Sequence, residues 1–98
     1  MHNKSVEQMV VDAILKRLTP KRIILFGSRA RGEAAERSDV DVAIDDEQLT
    51  TAMLAQIRAD VEELPTLLHI DIVGLNGIGK IFHRRILKEG KILHERQS

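Results

Sequence analysis

At 98 residues, 43% of them hydrophobic, the chain is sized for one compact domain over residues 1–98 with a single core. It has no cysteine, which excludes a disulfide scaffold and a cysteine zinc site. Its only aromatics are Phe26 and Phe82, which disfavours base-stacking on nucleic acid, so no direct nucleic-acid partner is expected. The 15 bases and 15 acids balance, and no stretch reaches the roughly 18–20 apolar residues of a membrane span. The N-terminal segment carries Glu7 and Asp12 and lacks a long apolar run, so the chain reads as soluble and cytoplasmic, with no membrane partner.

In chain order, Ser5 opens a Ser-x-x-Gln capping box with Gln8. Val6, Met9, Val10, Ala13, Ile14 and Leu18 then recur at helical spacing until Thr19-Pro20. RIILF, Arg22 to Phe26, is an apolar run bounded by Pro20 and Gly27, the pattern of a buried strand. Ser28 to about Glu36, rich in Arg, Ala and Glu, is predicted to be a short helix despite Gly32. From Asp39 to Ile44, Val40, Val42 and Ile44 alternate with Asp39, Asp41 and Ala43, the period of two of a half-buried strand.

Between Glu47 and Leu64 one stripe of Leu49, Met53, Ile57, Val61 and Leu64 predicts an amphipathic helix that ends at Pro65. Leu67 to Leu75 reads as a third strand, with Ile70 and Ile72 on one face and His69, Asp71 and Val73 on the other. A last helix is predicted from about Ile78 to Lys88 and closed by Gly90, and KILHE is either a short edge strand or a strapped-down tail. The pattern gives an α/β or α+β fold, with a mixed sheet of three to four strands and about four helices in the order α-β-α-β-α-β-α.

Charge is unevenly placed. Asp39 to Glu63 holds eight acids and one base, whereas Lys80 to Arg96 holds six bases and two acids. For most of these charges the simplest reading is two solvated, mutually attracting faces. The aspartates in strands are another matter, because Asp is depleted there and like charges two apart on one face repel. Asp39, Asp41 and Asp71 all lie opposite the apolar face of their own strand. If the two strands are neighbours, three carboxylates converge within one metal coordination sphere, a site suited to Mg²⁺ or Mn²⁺.

Gly27 and Ser28 follow a strand, where glycine admits close approach of backbone amides to a phosphate and the hydroxyl adds a donor. Arg29 and Arg31 are placed either to reach phosphate oxygens or to pair with the acidic segment. A second stretch, Gly74 to Lys80, matches G-x-x-x-x-G-K, but Ile81 stands where a P-loop needs Ser or Thr, and the match is set aside.

Gly27-Ser28, ten residues, then Asp39-Val40-Asp41, with Asp71 in a later strand, resembles the minimal nucleotidyltransferases of the DNA polymerase β superfamily. Among these, the chain is similar to the stand-alone MntA-type antitoxins encoded beside an all-helical HEPN-type toxin. The resemblance implies that Asp39, Asp41 and Asp71 are catalytic and bind metal, and that Gly27 and Ser28 hold the β and γ phosphates of ATP or another NTP. It also implies transfer of AMP to a tyrosine of the HEPN partner; because so small a chain must borrow its acceptor surface, a complex with that helical partner is expected, with the basic region Lys80 to Arg96 as the candidate docking surface. A rival reading is a nucleotide-binding module that neutralises its partner by masking it. With Phe26 read as buried, no aromatic is left to stack on the base.

Overall fold

The computed structural model describes residues 4–33 and 38–97. Ser5 caps helix α1, Val6–Leu15, its hydroxyl accepting the Gln8 N–H at 3.1 Å, as the capping box predicts. Strand β1, Arg22–Phe26, and strand β2, Val40–Asp45, follow; Thr50 then caps helix α2, Thr51–Glu62, by accepting the Met53 N–H at 3.0 Å. Strand β3, Ile70–Gly74, passes through a 3₁₀ turn at Leu75–Gly77 to helix α3, Lys80–Glu89, and strand β4, Lys91–Glu95.

The four strands form one mixed sheet in the order β3-β2-β1-β4. β1 is antiparallel to β2 and β4, whereas β2 and β3 run parallel. A parallel pair needs a crossover rather than a hairpin, and α2 supplies it. Alternation along each strand sends Ile23, Leu25, Val40, Val42, Ile44 and Ile72 to the face covered by α1 and α2. Ile24 and Ala43 point the other way, under Leu75 and Ile86 of the segment that includes α3. The core is built from fully buried isoleucines such as Ile14, Ile44 and Ile57, each contributing roughly 1.5–3 kcal/mol by leaving water.

Polar contacts lock the helices to the sheet. Arg17 at the end of α1 binds Asp60, and donates to Gln56 Oε1 at 2.9 Å, on α2. Arg58 donates to the Ile72 carbonyl through Nε and Nη2 at 3.0 and 2.7 Å, tying α2 to β3. KILHE is therefore an edge strand, and among the described residues no helix is long and apolar enough to cross a membrane.

The helix expected at Ser28–Glu36 is not formed by its described part, so the described residues hold three α-helices rather than about four. Residues 28–32 are turns, with Arg31 N–H reaching Gly27 O at 3.3 Å and Glu33 N–H reaching Ser28 O at 3.0 Å. Gly32, at φ +73°, takes the left-handed conformation that ends helical propagation. The remainder of that segment, 34–36, lies outside the described residues. The helix expected from Glu47 begins only at Thr51, because the Asp46 side chain accepts the Gln48 N–H at 2.7 Å and holds a turn there.

Candidate active site

β1 ends on Gly27, whose φ of +78° turns the chain sharply away from the sheet. A Cβ at this position would run into Asp41 Oδ2, so glycine is needed both for the turn and for the close passage of the backbone beside the carboxylate. In register, Phe26 stands opposite Asp41, and Asp41 stands beside Asp71 on the parallel strand. One row across the sheet thus runs Phe26, Asp41, Asp71. Asp39, two residues before Asp41, extends the patch at the start of β2, where the Val40 N–H donates to the His69 carbonyl at 2.9 Å.

This end of the sheet gathers acidic charge. Among the described residues, none of Asp39, Asp41 and Asp71 makes an ion pair or a side-chain hydrogen bond. Asp41 is partly buried, and its pKa is raised, first by desolvation and then by the charges of Asp71 and Asp39; His69 opposes the rise. The three carboxylates share one face of one sheet end without closing into a metal cage, since no three His, Cys, Asp or Glu among the described residues are so arranged. The single coordination sphere expected from the strand pattern is therefore not preformed, and repulsion between like charges is the physical reason. The donor set itself fits a divalent metal: hard, anionic carboxylate oxygens.

Ser28 follows Gly27 at the turn, half-buried. The two arginines diverge. Arg29 is largely buried, with Nε donating to the Ser38 carbonyl at 3.0 Å and Nη1 lying 3.8 Å from Glu7 Oε1 on α1. Arg31 is exposed, pairs with Glu33 Oε2 at 2.9 Å, and lies 4.0 Å from Glu89 Oε2 on α3. Arg31 thus stays within reach of the turn's outer side, whereas Arg29 is engaged with α1 and the start of β2. The Gly74–Lys80 stretch begins at the last residue of β3, while Asp71 stands at the strand's start; Leu75 within it is a buried core residue.

One feature escaped the sequence pattern. Phe26 is only half-buried, and its ring meets Phe82 edge to face with centroids 5.7 Å apart. An aromatic surface therefore exists beside Gly27. The signal was the i, i+4, i+8 spacing of Ile78, Phe82 and Ile86, which carries Phe82 onto the sheet side of α3.

A glycine turn next to clustered carboxylates suits enzymes that move a nucleotidyl group from a polyphosphate donor. Comparison with known families agrees: residues 10–98 match the family described as Polymerase beta, Nucleotidyltransferase. The chain belongs to that family. Two Methanocaldococcus jannaschii proteins whose names class them as protein adenylyltransferases are similar to it. One is 32% identical over 81 residues, covering 76% of this chain and 78% of its own, and the other 29% identical over 90 residues, covering 91% and 95%. Among solved structures, a chain from a toxin–antitoxin complex with AMP-PNP shares the fold at a TM-score of 0.74 and 21% identity, covering 93% of this chain and 74% of that one. A second, from a Shewanella oneidensis complex of an MNT antitoxin with a tri-AMPylated HEPN toxin, matches at 0.60 and 23% identity, over 93% and 74%.

Proposed function

We propose that the chain is a metal-dependent adenylyltransferase of the cytoplasm that moves AMP from ATP to a tyrosine hydroxyl of a helical HEPN-type toxin and so acts as its antitoxin. The observation that carries this reading is the placement of Asp41: in register beside Asp71 on the parallel strand, with its carboxylate against the Gly27 turn that follows β1. The kinship with proteins named adenylyltransferases, and with antitoxin chains of the same fold, supports the donor and the acceptor.

In this reading the Gly27–Ser28 turn holds the β and γ phosphates through its backbone N–H groups and the Ser28 hydroxyl. Asp39 and Asp41 hold Mg²⁺ or Mn²⁺, which when bound supplies Lewis-acid stabilisation of charge on the phosphates. The acceptor oxygen bonds to the α-phosphorus while the bond to the β-bridging oxygen breaks, and pyrophosphate departs along the turn. Asp71, on the outer strand, accepts the proton of the incoming hydroxyl. Arg31 exchanges its surface carboxylate partners for phosphate oxygens.

The test is to incubate the purified chain with its helical partner, ATP and Mg²⁺ and to weigh the partner intact. A gain of one or more AMP units, abolished by Asp41→Asn, is expected. Partner neutralisation with no mass change would instead establish masking by complex formation.

A further inference from the structure

Beside Gly27 lies a groove that the phosphate and carboxylate chemistry leaves unused. Phe26, Phe82, Arg31, Arg85 and Ile86 line it together with Gly27, and its volume is about 150 Å³. Pockets that enclose a whole small ligand usually start near 300 Å³, so this one has room for a single flat ring system of a larger molecule. Phe82 keeps 44% of its surface exposed, although its edge-to-face contact places it at 85° to Phe26 and next to the core. A chain with only two Phe, Tyr or Trp residues has put both at the same spot, with nearly half of the Phe82 surface open to solvent.

Position within the sheet connects this groove to the site. Phe26 is the cross-strand partner of Asp41, and Gly27 borders both the Asp41 carboxylate and the groove. A ligand whose phosphates meet the Gly27 turn is therefore at the mouth of the groove. The rim carries both signs: Arg31 and Arg85 flank it, Glu89 lines it 4.0 and 3.8 Å from them, and Arg31 is also paired with Glu33 at 2.9 Å, so the guanidinium groups meet a polyanion only by exchanging these surface partners. An apolar ring face with guanidinium groups around it matches a ligand that joins a flat heterocycle to a polyanion.

We propose that this groove is the nucleobase site and that the base of the nucleoside triphosphate stacks on the open face of Phe82. The proposal rests on the nucleotidyltransferase reading of the carboxylate row and adds what holds the other end of the donor. Stacking depends on ring area rather than on edge hydrogen bonds, so purine nucleotides bind ahead of pyrimidine nucleotides.

The test uses the full chain in Mg²⁺ and compares, by titration calorimetry, a non-hydrolysable ATP analogue with inorganic tripolyphosphate, which has phosphates and no base. Phe82→Ala should weaken the analogue about 5- to 100-fold, the range that stacking one base on an aromatic spans, and leave tripolyphosphate within twofold. Phe82→Leu keeps the apolar contact with Phe26 and guards against a folding defect; it should share the loss, and Phe82→Trp should restore affinity. Upfield ring-current shifts of the adenine H2 and H8 protons on binding, absent with Phe82→Leu, are the second expected readout. Unchanged analogue affinity in Phe82→Leu, or equal losses for both ligands, overturns the proposal. Loss of partner binding with analogue affinity intact would make the groove a protein-docking surface and overturn it too. If the parent chain binds neither ligand, the nucleotidyltransferase reading itself falls and takes the base site with it.

Discussion

The two ends of β2 carry aspartates in opposite circumstances. At its C-terminal end Asp45 and Asp46 are 8% and 7% exposed, and both are fully engaged. Asp45 Oδ2 accepts from Arg22 Nε at 2.8 Å, and Asp46 accepts the Lys21 and Gln48 N–H groups at 3.0 and 2.7 Å and faces Arg96 Nη1 at 3.4 Å. At the N-terminal end Asp39 and Asp41 make no ion pair among the described residues, and Asp41 feels the charges of Asp71 and Asp39, offset in part by His69. Buried and paired, a carboxylate is architecture: it ties Lys21 beside β1 and the C-terminal tail to the end of β2. Clustered with its own kind, it costs the fold energy and acquires a reason to exist only when a cation arrives.

The comparison is most severely tested by removing charge from the N-terminal end. Asp39→Asn and Asp41→Asn should each weaken Mg-nucleotide binding and reduce transfer by well over the hundredfold typical of a lost catalytic group. Asp71→Asn should reduce transfer by roughly a hundredfold while nucleotide affinity stays within a few fold, because its proposed work is done on the acceptor. Calorimetry and a transfer assay on the same preparations separate the two; equal affinity losses in all three variants would mean one undivided cluster.

Stability should respond in the reverse sense at the two ends. Asp46→Ala strands the Lys21 and Gln48 N–H groups and should cost roughly 1–3 kcal/mol in urea unfolding. Asp41→Asn should raise the unfolding midpoint at neutral pH, since it removes a carboxylate whose ionisation opposes folding. The smallest effect is its pH dependence. A folded-state pKa above the ordinary 3.8 means the folded chain holds more protons, so this group's penalty is absent well below 3.8 and grows as pH rises through the folded value. The gain from Asp41→Asn should therefore shrink on acidification, and Mg²⁺ should narrow it at neutral pH by stabilising only the parent chain. A gain independent of both pH and Mg²⁺ would show that ionisation of Asp41, desolvated and crowded by Asp71 and Asp39, is not what opposes folding.

Much of this was legible in the chain itself. The alternation of Val40, Val42 and Ile44 with aspartates fixes which face each carboxylate takes, since period two leaves no choice. The pairing of Asp41 with Asp71 was conditional on β2 and β3 being neighbours, a matter of crossover topology that no local pattern encodes. Asp45 and Asp46 read as part of one acidic run, because their partners Arg22 and Arg96 are 23 and 50 residues away. The helix after Ser28 failed on a single residue, Gly32, whose backbone conformation outweighs the helix propensity of its neighbours. The aromatic pair was missed for a different reason: Phe26 read as buried because it ends an apolar strand, and Phe82 was given no role because its contact with Phe26 spans 56 residues of chain.

Two glycines share a left-handed backbone, yet they differ in what variation they permit. Around Gly32 nothing lies within 4 Å of a notional Cβ, so asparagine or aspartate, which tolerate that conformation, stand open as replacements. Gly27 faces a carboxylate across the space a methyl group would need. A library randomised at position 32 should return several functional residues, whereas one randomised at position 27 should return glycine alone. For a descendant of this gene, the turn after β1 is thus the more constrained of the two, because a side chain there would displace the Asp41 carboxylate from its row as well as strain the backbone.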